Sequence, residues 1–386
     1  MPERSASPAP GCGRPAPLPL AVGAAALLAI LLAGPAARAQ SLDLPEEWPP
    51  RPVATVDVNL FPILFYTPET RTGGGVGTWL ISHGTPESSN GKPSNVWMSA
   101  VYTQERQTIL RVIPELFFGA GLYRLRLHLR YLDYPTRFFG IGNDTPVSAE
   151  ELYNSVNRGA RVTFTRVVTE PFSAGVVGDF DDMDIVRVEP GRQLDSGQVP
   201  GARGSRLGGL GAIALWDARE HHFNPREGGL LELTALRYEA LESDEHGFWR
   251  GGLDARWYQP VLETHLLRLQ GILQSVSGNP PFTALPQLGG KVLLRGLYEG
   301  RYRDRNLLAF QAEYRISFGG RWGVTAFAGY GDVAETPRDF SLREFKTAGG
   351  LGLRYAWNVR ERINIRLDVA GARDSTGVYF SVGEAY

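Results

Sequence analysis

The chain has 386 residues, with 40 Lys and Arg against 41 Asp and Glu, 43% hydrophobic residues, 11% aromatic residues and 46 glycines. A formal charge of -1 excludes the basic footprint of a nucleic-acid binder, and one cysteine, Cys12, excludes a disulfide framework and a thiolate metal centre. Beyond the N-terminal segment no run approaches the ~18 apolar residues of a membrane helix, so any membrane crossing falls to strands.

In chain order, Arg4 and Arg14 precede an apolar run from Leu20 to Ala33, and Ala37-Arg38-Ala39 has the small-x-small form of a signal-peptidase site. This predicts a signal peptide over residues 1–39, cleaved after Ala39, and removal of Cys12 and a shift of the formal charge to -3 with it. Residues 40–55, with Pro45, Pro49, Pro50 and Pro52, read as a periplasmic lead-in. Residues 56–386 carry sixteen strand candidates, beginning near Val56, Val76, Asn95, Gln107, Leu122, Val156, Phe172, Arg206, Leu230, Phe248, Leu262, Asn306, Trp322, Ala348, Arg362 and Gly377.

Several of these alternate cleanly. Tyr123, Leu125, Leu127, Leu129 and Tyr131 interleave with Arg124, Arg126, His128 and Arg130, and Ile363, Ile365, Leu367 and Val369 interleave with Asn364, Arg366 and Asp368. Each such arginine facing lipid near the midplane costs about 2–4 kcal/mol, so the charged rows line a polar interior. The fold class read here is all-β, a transmembrane antiparallel β-barrel of sixteen strands. A soluble β-sandwich is the alternative, but it needs neither export nor alternation sustained over the whole chain. Short connections at Phe118–Gly121, Glu170–Ser173 and Gly319–Arg321 alternate with long ones at Phe138–Asn154, Glu189–Ser205, Ser275–Arg305 and Glu335–Lys346, the asymmetry of outer-membrane barrels. The connection Ile81–Ser94 breaks that rule.

Catalytic patterns are weak. Gly73–Gly77 lacks the Gly-Lys-Ser/Thr of a phosphate loop, and Ser205 lacks the Gly-x-Ser-x-Gly elbow. His221 and His222 are adjacent and point to opposite sides of an extended chain. Asp179, Asp181, Asp182 and Asp184 read as a solvated acidic strand end. No enzyme activity, cofactor or metal is expected.

The stretch Leu288–Asp304 and the strand Leu307–Phe318 organise the rest. Arg295 sits in a Gly-flanked loop; a guanidinium in a low-dielectric setting needs a partner, and Glu313 on the charged face of the next strand is the expected one. At the C-terminus, Val378, Phe380, Val382 and Tyr386 fall on alternate positions, and Glu384 interrupts them at a place where a carboxylate near the interface costs little.

Arg295-Gly296 in a long loop, Glu313-Tyr-Arg315 and Phe327-Ala-Gly-Tyr-Gly331 resemble the signature of the BamA/TamA-type outer-membrane barrels, the bacterial surface antigen family. Phe138–Thr145 is similar to a Gly-Asn motif of that family's outer loops, and Leu215–Glu220 followed by Asn224-Pro225 is similar to its Asp-x-Arg-Asp turn. The resemblance implies a sixteen-stranded barrel in the bacterial outer membrane whose sixth outer loop folds inward. Its arginine would be clasped by acids of the next two strands: Arg295 and Gly296 on the loop, Glu313 on the first strand and, where the family has Asp on the second, Gly329, so half the clasp is missing. Val378, Phe380, Val382 and Tyr386 resemble the C-terminal signal read by the barrel assembly machinery during biogenesis. The partners implied are outer-membrane lipids, that machinery and a polypeptide substrate, with no nucleic acid. The function implied is protein translocation or outer-membrane assembly by a lateral opening between first and last strands. Against it, residues 40–55 are too short for a POTRA domain, which such proteins carry. A passive pore, or a structural or binding surface antigen without insertase activity, is the alternative.

Overall fold

A computed structural model describes residues 56–67, 71–84, 89, 92–242, 246–373 and 375–386. The expected signal peptide at 1–39 and lead-in at 40–55 lie outside the described residues. The first eight strands are β1 (Val56–Thr67), β2 (Arg71–His83), β3 (Pro93–Thr103), β4 (Thr108–Phe118), β5 (Tyr123–Phe138), β6 (Glu151–Thr169), β7 (Phe172–Val188) and β8 (Gly204–Asp217). They continue into β9 (Gly228–Ala240), β10 (Gly247–Leu262) and β11 (His265–Gly278), then two short strands, β12 (Gln287–Leu288) and β13 (Tyr302–Arg303), which pair with each other outside the barrel ladder. The ring closes through β14 (Asn306–Phe318), β15 (Trp322–Ala334), β16 (Lys346–Asn358), β17 (Ile363–Ala372) and β18 (Ser375–Val382). The sixteen long strands form one closed antiparallel barrel, each beside its neighbour in sequence, with β18 returning to β1.

Side-chain alternation decides which face is which. Val56, Val58, Leu60 and Leu64 of β1 are exposed while Asn59 and Phe61 are buried. On β14, Gln311, Glu313 and Arg315 are buried, and Phe318 of the opposite row is exposed. The apolar row therefore faces outward and the charged row inward, the reverse of a soluble sheet. Exposed aromatics gather at strand ends: Phe118, Phe172, Phe318, Trp322 and Trp357 at one rim, Tyr102 and Trp249 at the other. Rings with this placement sit at the two membrane–water interfaces. Closing the sheet satisfies the backbone where strands pair, and with this apolar, aromatic-edged exterior the chain is a membrane-spanning barrel.

Strand starts differ from the sequence expectation chiefly at β2 and β6. β2 begins at Arg71 rather than near Val76, because Gly73, Gly74 and Gly75 are paired on both sides, with Phe65–Ile63 of β1 and Thr103–Val101 of β3. Glycine weakens a strand and so hides one, yet here a β-carbon on Gly75 would lie 2.1 Å from the Ala100 carbonyl oxygen, and the close backbone approach requires it. β6 begins at Glu151 rather than near Val156, its first five residues, Glu151 to Ser155, being paired with β5 from Phe138↔Glu151 onward. The long connection after Ile81 is present: β2 ends at His83 and β3 starts at Pro93.

The β1–β18 seam is unlike the other junctions. Its described ladder is the single pair Tyr66↔Val378, whereas β17 and β18 pair continuously from Ile365↔Val382 to Ala372↔Ser375. Toward its start β1 is instead joined to the end of β16: Asn358 Nδ2 donates to Asn59 Oδ1 at 2.8 Å, and the Phe61 and Trp357 rings lie 5.7 Å apart.

Candidate functional site

Residues 279–305, between β11 and β14, form an ordered loop rather than an open connection. The β12–β13 ribbon closes it, and Leu288, Leu294, Leu297 and Tyr302 bury against Leu307, Ala309, Val333 and Ala348 of the barrel wall. At its tip Leu294 has φ +46° and Gly296 φ +107°. A β-carbon on Gly296 would meet the Gly371 backbone at 2.7 Å, so only glycine lets the tip press against β17. The Gly296 N–H donates to the Tyr379 hydroxyl at 3.1 Å and its carbonyl accepts from Ser375 Oγ at 2.6 Å, both on β18. The other flank of the loop reaches β5 and the 139–150 connection. Arg301 donates to Thr145 Oγ1 and to the Thr145 carbonyl at 2.8 Å each, the Gly142 N–H donates to the Arg303 carbonyl at 2.8 Å, and the Arg137 N–H donates to the Tyr298 hydroxyl at 3.2 Å.

Arg295, fixed between these flanks, has a side chain only 1% exposed. Its Nη2 donates to Glu313 Oε2 at 2.8 Å and its Nη1 to Asp368 Oδ2 at 2.6 Å, while the guanidinium carbon lies 3.5 Å from the centre of the Phe327 ring. Two charge-assisted bonds and a ring face make this a fully matched arginine site except at Nε, which has no partner. The expected pair Arg295–Glu313 is thus present, with a correction. The second carboxylate is not missing: Asp368 of β17 supplies it, two strands beyond the position where Gly329 stands. Gly329 faces Leu294 of the loop instead, and a β-carbon there would lie 3.1 Å from Leu294 Cγ.

The two acids belong to a larger ionic cluster. Glu313 also meets Arg315 at 3.3 Å and Arg354 at 3.4 Å, and Asp368 meets Arg354 at 2.5 Å and Arg366 at 3.3 Å. Glu384 joins it from the C-terminal tail. Sequence reading left this carboxylate at the interface, but at Gly383, φ +79°, the chain leaves the strand and the Gly383 N–H turns back to the Asn364 carbonyl at 2.8 Å. Glu384 is consequently 4% exposed and bonds Arg268 at 3.2 Å, Arg354 at 3.4 Å, Asn364 Nδ2 at 2.6 Å and Arg315. Burial alone would push its carboxyl up; Arg315, Arg268 and Arg354 reverse that and hold it well below the usual carboxylate range. The same turn ends the outward row. Val378 remains exposed on the outer face beside Phe380 and Val382, whereas Tyr386 is 6% exposed and does not continue the row.

From the opposite mouth, the 218–227 turn reaches the same cluster. Asp217 holds Arg219 at 2.7 Å and Glu220 holds Arg362 at 2.5 Å. The Phe223 ring stands edge-on to Trp79 at 4.7 Å. Asn224 Oδ1 accepts from Arg268 and, at 3.4 Å, from Arg315. His222 bonds Glu115 of β4 at 3.1 Å, and His221 Nδ1 accepts backbone N–H bonds from Phe223 and Asn224 at 3.2 and 3.3 Å; the two lie in a turn rather than an extended chain, and both rings pack on Phe223. The acidic run of β7 is not a solvated strand end: Asp181 pairs with Arg130, Asp179 accepts from the Tyr238 hydroxyl at 2.6 Å, and Asp182 and Asp184 bracket Arg158 at 3.3 and 2.8 Å.

One buried cluster thereby ties together a loop from one mouth (Arg295), a turn from the other (Asn224) and the tail that follows the seam strand (Glu384). It holds no nucleophile–base pair; what it can do is latch. Sequence reasoning missed Asp368, Asn224 and the inward Glu384. For Asp368 the signal was there, since it continues the inward row Asn364, Arg366; for the other two, contacts form only after closure.

The class defined is a closed, sixteen-stranded outer-membrane barrel with a long loop latched to the inner-face charges of its last strands. The sequence matches no protein-family model and no curated protein. In structure the chain is similar to BamA of Haemophilus ducreyi lacking POTRA domains 1-3, with TM-score 0.53 and 15% identity over 86% of this chain and 70% of that one. It is also similar to CdiB from Acinetobacter baumannii, with TM-score 0.52 and 12% identity over 86% of this chain and 65% of that one, and to CdiB from Escherichia coli, with TM-score 0.52 and 13% identity over 92% and 68%. The fold is the BamA/CdiB-type barrel, and the chain spans about two thirds of the length of these neighbours.

Proposed function

We propose that the protein handles polypeptide at the outer membrane, in translocation or membrane assembly, by parting β1 from β18, with loop 279–305 acting as an internal plug. The observation that carries this is the seam: one described ladder pair, Tyr66↔Val378, in a ring whose other junctions each carry eight or more. The barrel fold shared with BamA and CdiB supports the reading. A barrel that works by lateral opening stops working when its seam is covalently closed, whereas a passive pore does not. A Tyr66→Cys/Val378→Cys pair, oxidised to a disulfide, is therefore expected to abolish complementation of a deletion strain, scored by the amounts of outer-membrane and surface proteins, with recovery on reduction. Full complementation by the oxidised variant overturns lateral opening.

A further inference from the structure

We propose that Asp57, His83 and Glu361 form a binding site for a divalent transition-metal ion of the zinc class, and that the bound ion staples the barrel across its seam. The three side chains come from separate segments: the start of β1, the end of β2 and the turn between β16 and β17. One donor atom from each lies within 4.8 Å of the other two. His83 Nε2 and Glu361 Oε1 are already 3.0 Å apart, with side chains 14% and 2% exposed, so imidazole and carboxylate are held in place before any ion arrives. Asp57 makes no hydrogen bond or ion pair with the described residues, and its carboxylate is the free arm of the set.

The donor chemistry selects the ion. One imidazole nitrogen and two carboxylate oxygens are donors that zinc accepts, with ligand bonds of about 2.0–2.2 Å, and three protein ligands leave a fourth place for water. Magnesium and calcium favour all-oxygen shells and are disfavoured by the histidine. Bonds of about 2 Å put tetrahedral donors roughly 3.4 Å apart, so binding parts His83 and Glu361 slightly from their 3.0 Å separation, draws the Asp57 carboxylate in from within 4.8 Å, and replaces the His83–Glu361 hydrogen bond with two metal bonds. An entry path exists, because His83 and Glu361 line a cavity of about 470 Å³ at this mouth of the barrel. The sequence expectation of no metal followed from spacing along the chain, and a site assembled from positions 57, 83 and 361 leaves no such spacing.

The place of the site gives the ion its consequence. β18 ends at Val382, and its ladder with β1 is described only at Tyr66↔Val378. Below that point the β1–β2 hairpin is joined to β16 and its turn by the Asn358–Asn59 bond, by the Phe61–Trp357 contact and by the His83–Glu361 pair. An ion held by Asp57 and His83 on one side and Glu361 on the other crosses the same gap with coordinate bonds.

The test uses the full barrel, refolded in detergent, stripped with chelator and titrated with ZnCl2 by calorimetry, with MgCl2 as the comparison. One equivalent of zinc is expected to bind and magnesium is not. Asp57→Asn, which leaves the His83–Glu361 hydrogen bond in place, and His83→Ala each remove a direct ligand and should weaken zinc by more than the about 10- to 100-fold that loss of an outer-shell partner costs, while keeping the heat-modifiable gel mobility of a folded barrel. No saturable one-to-one binding, or unchanged affinity in both folded variants, overturns the site. Amide exchange tests the staple separately: zinc should slow exchange in residues 56–64 and 359–363 and leave β9 and β10 unaffected. Zinc bound at the triad without that protection overturns the staple.

Discussion

The wall β5–β7 and the seam β18–β1 are built from the same barrel lattice and held by different forces. β5, β6 and β7 run for 16, 19 and 17 residues and pair along nearly all of their length, with cross-strand ion pairs such as Arg130–Asp181 added to the ladder. β18 runs for 8 residues and is fully paired with β17 but has one described ladder pair with β1. It is anchored to the barrel interior by side chains, Tyr379 and Ser375 to the loop tip and Glu384 beyond it to three arginines, while β1 and β2 are joined to β16 and its turn by Asn59–Asn358, Phe61–Trp357 and His83–Glu361. A backbone ladder resists opening all along its length and cannot be switched. A side-chain latch can be released by moving one charged group, so a barrel that opens has reason to concentrate side-chain anchoring where the ladder is short.

The largest effect that breaks this contrast is expected at the centre of the cluster. Arg295→Ala leaves Glu313 and Asp368 short of a buried partner, and breaking a buried pair typically costs about 3–5 kcal/mol, reduced here because Arg315, Arg354 and Arg366 remain. Loop 279–305 should become protease-sensitive. Combining Arg295→Ala with Glu313→Ala should cost less than the sum of the two, the sign of a shared interaction; strict additivity in thermal unfolding would show that no clasp exists. A middle-sized effect is expected at the tail. Glu384→Gln removes the negative charge and one of the two acceptor oxygens that face Arg268, Arg315, Arg354 and Asn364, at a cost of about 1–3 kcal/mol, and the released tail should be trimmed by carboxypeptidase faster than in wild type. Equal trimming would mean the tail is held by something else. The smallest effect sharpens the comparison by its sign. Gly329→Asp, which family resemblance would have tightening the loop, should loosen it, since the new side chain meets Leu294 and overpacking costs about 1–3 kcal/mol. A rise in melting temperature would restore the Gly329 reading.

The barrel was legible because its physics is periodic. Alternation along β14 and β17, and the cost of charge against lipid, assign faces strand by strand, and turn lengths give the strand order. The strand starts missed at β2 and β6 fall where glycine and polar residues suppress the alternation signal. The site was legible only in part. Arg295 and Glu313 stand out because a loop arginine needs an acid nearby, and Glu313 is the inward carboxylate of the very next strand. Asp368 lies 73 positions from Arg295; the inward row Asn364, Arg366 marks it as a lumen carboxylate, but only closure of the ring brings β17 opposite the loop and makes it the partner. Glu384 was misplaced because strict alternation was carried past Gly383, where a positive φ ends the strand.

The claim that the cluster anchors β18, the last strand before the seam, is tested most directly by amide exchange in Arg295→Ala. With the loop tip released, β18 (Ser375–Val382) should exchange faster than in wild type, while β6 and β7 stay as protected as before. Faster exchange confined to loop 279–305, with β18 unchanged, would contradict it.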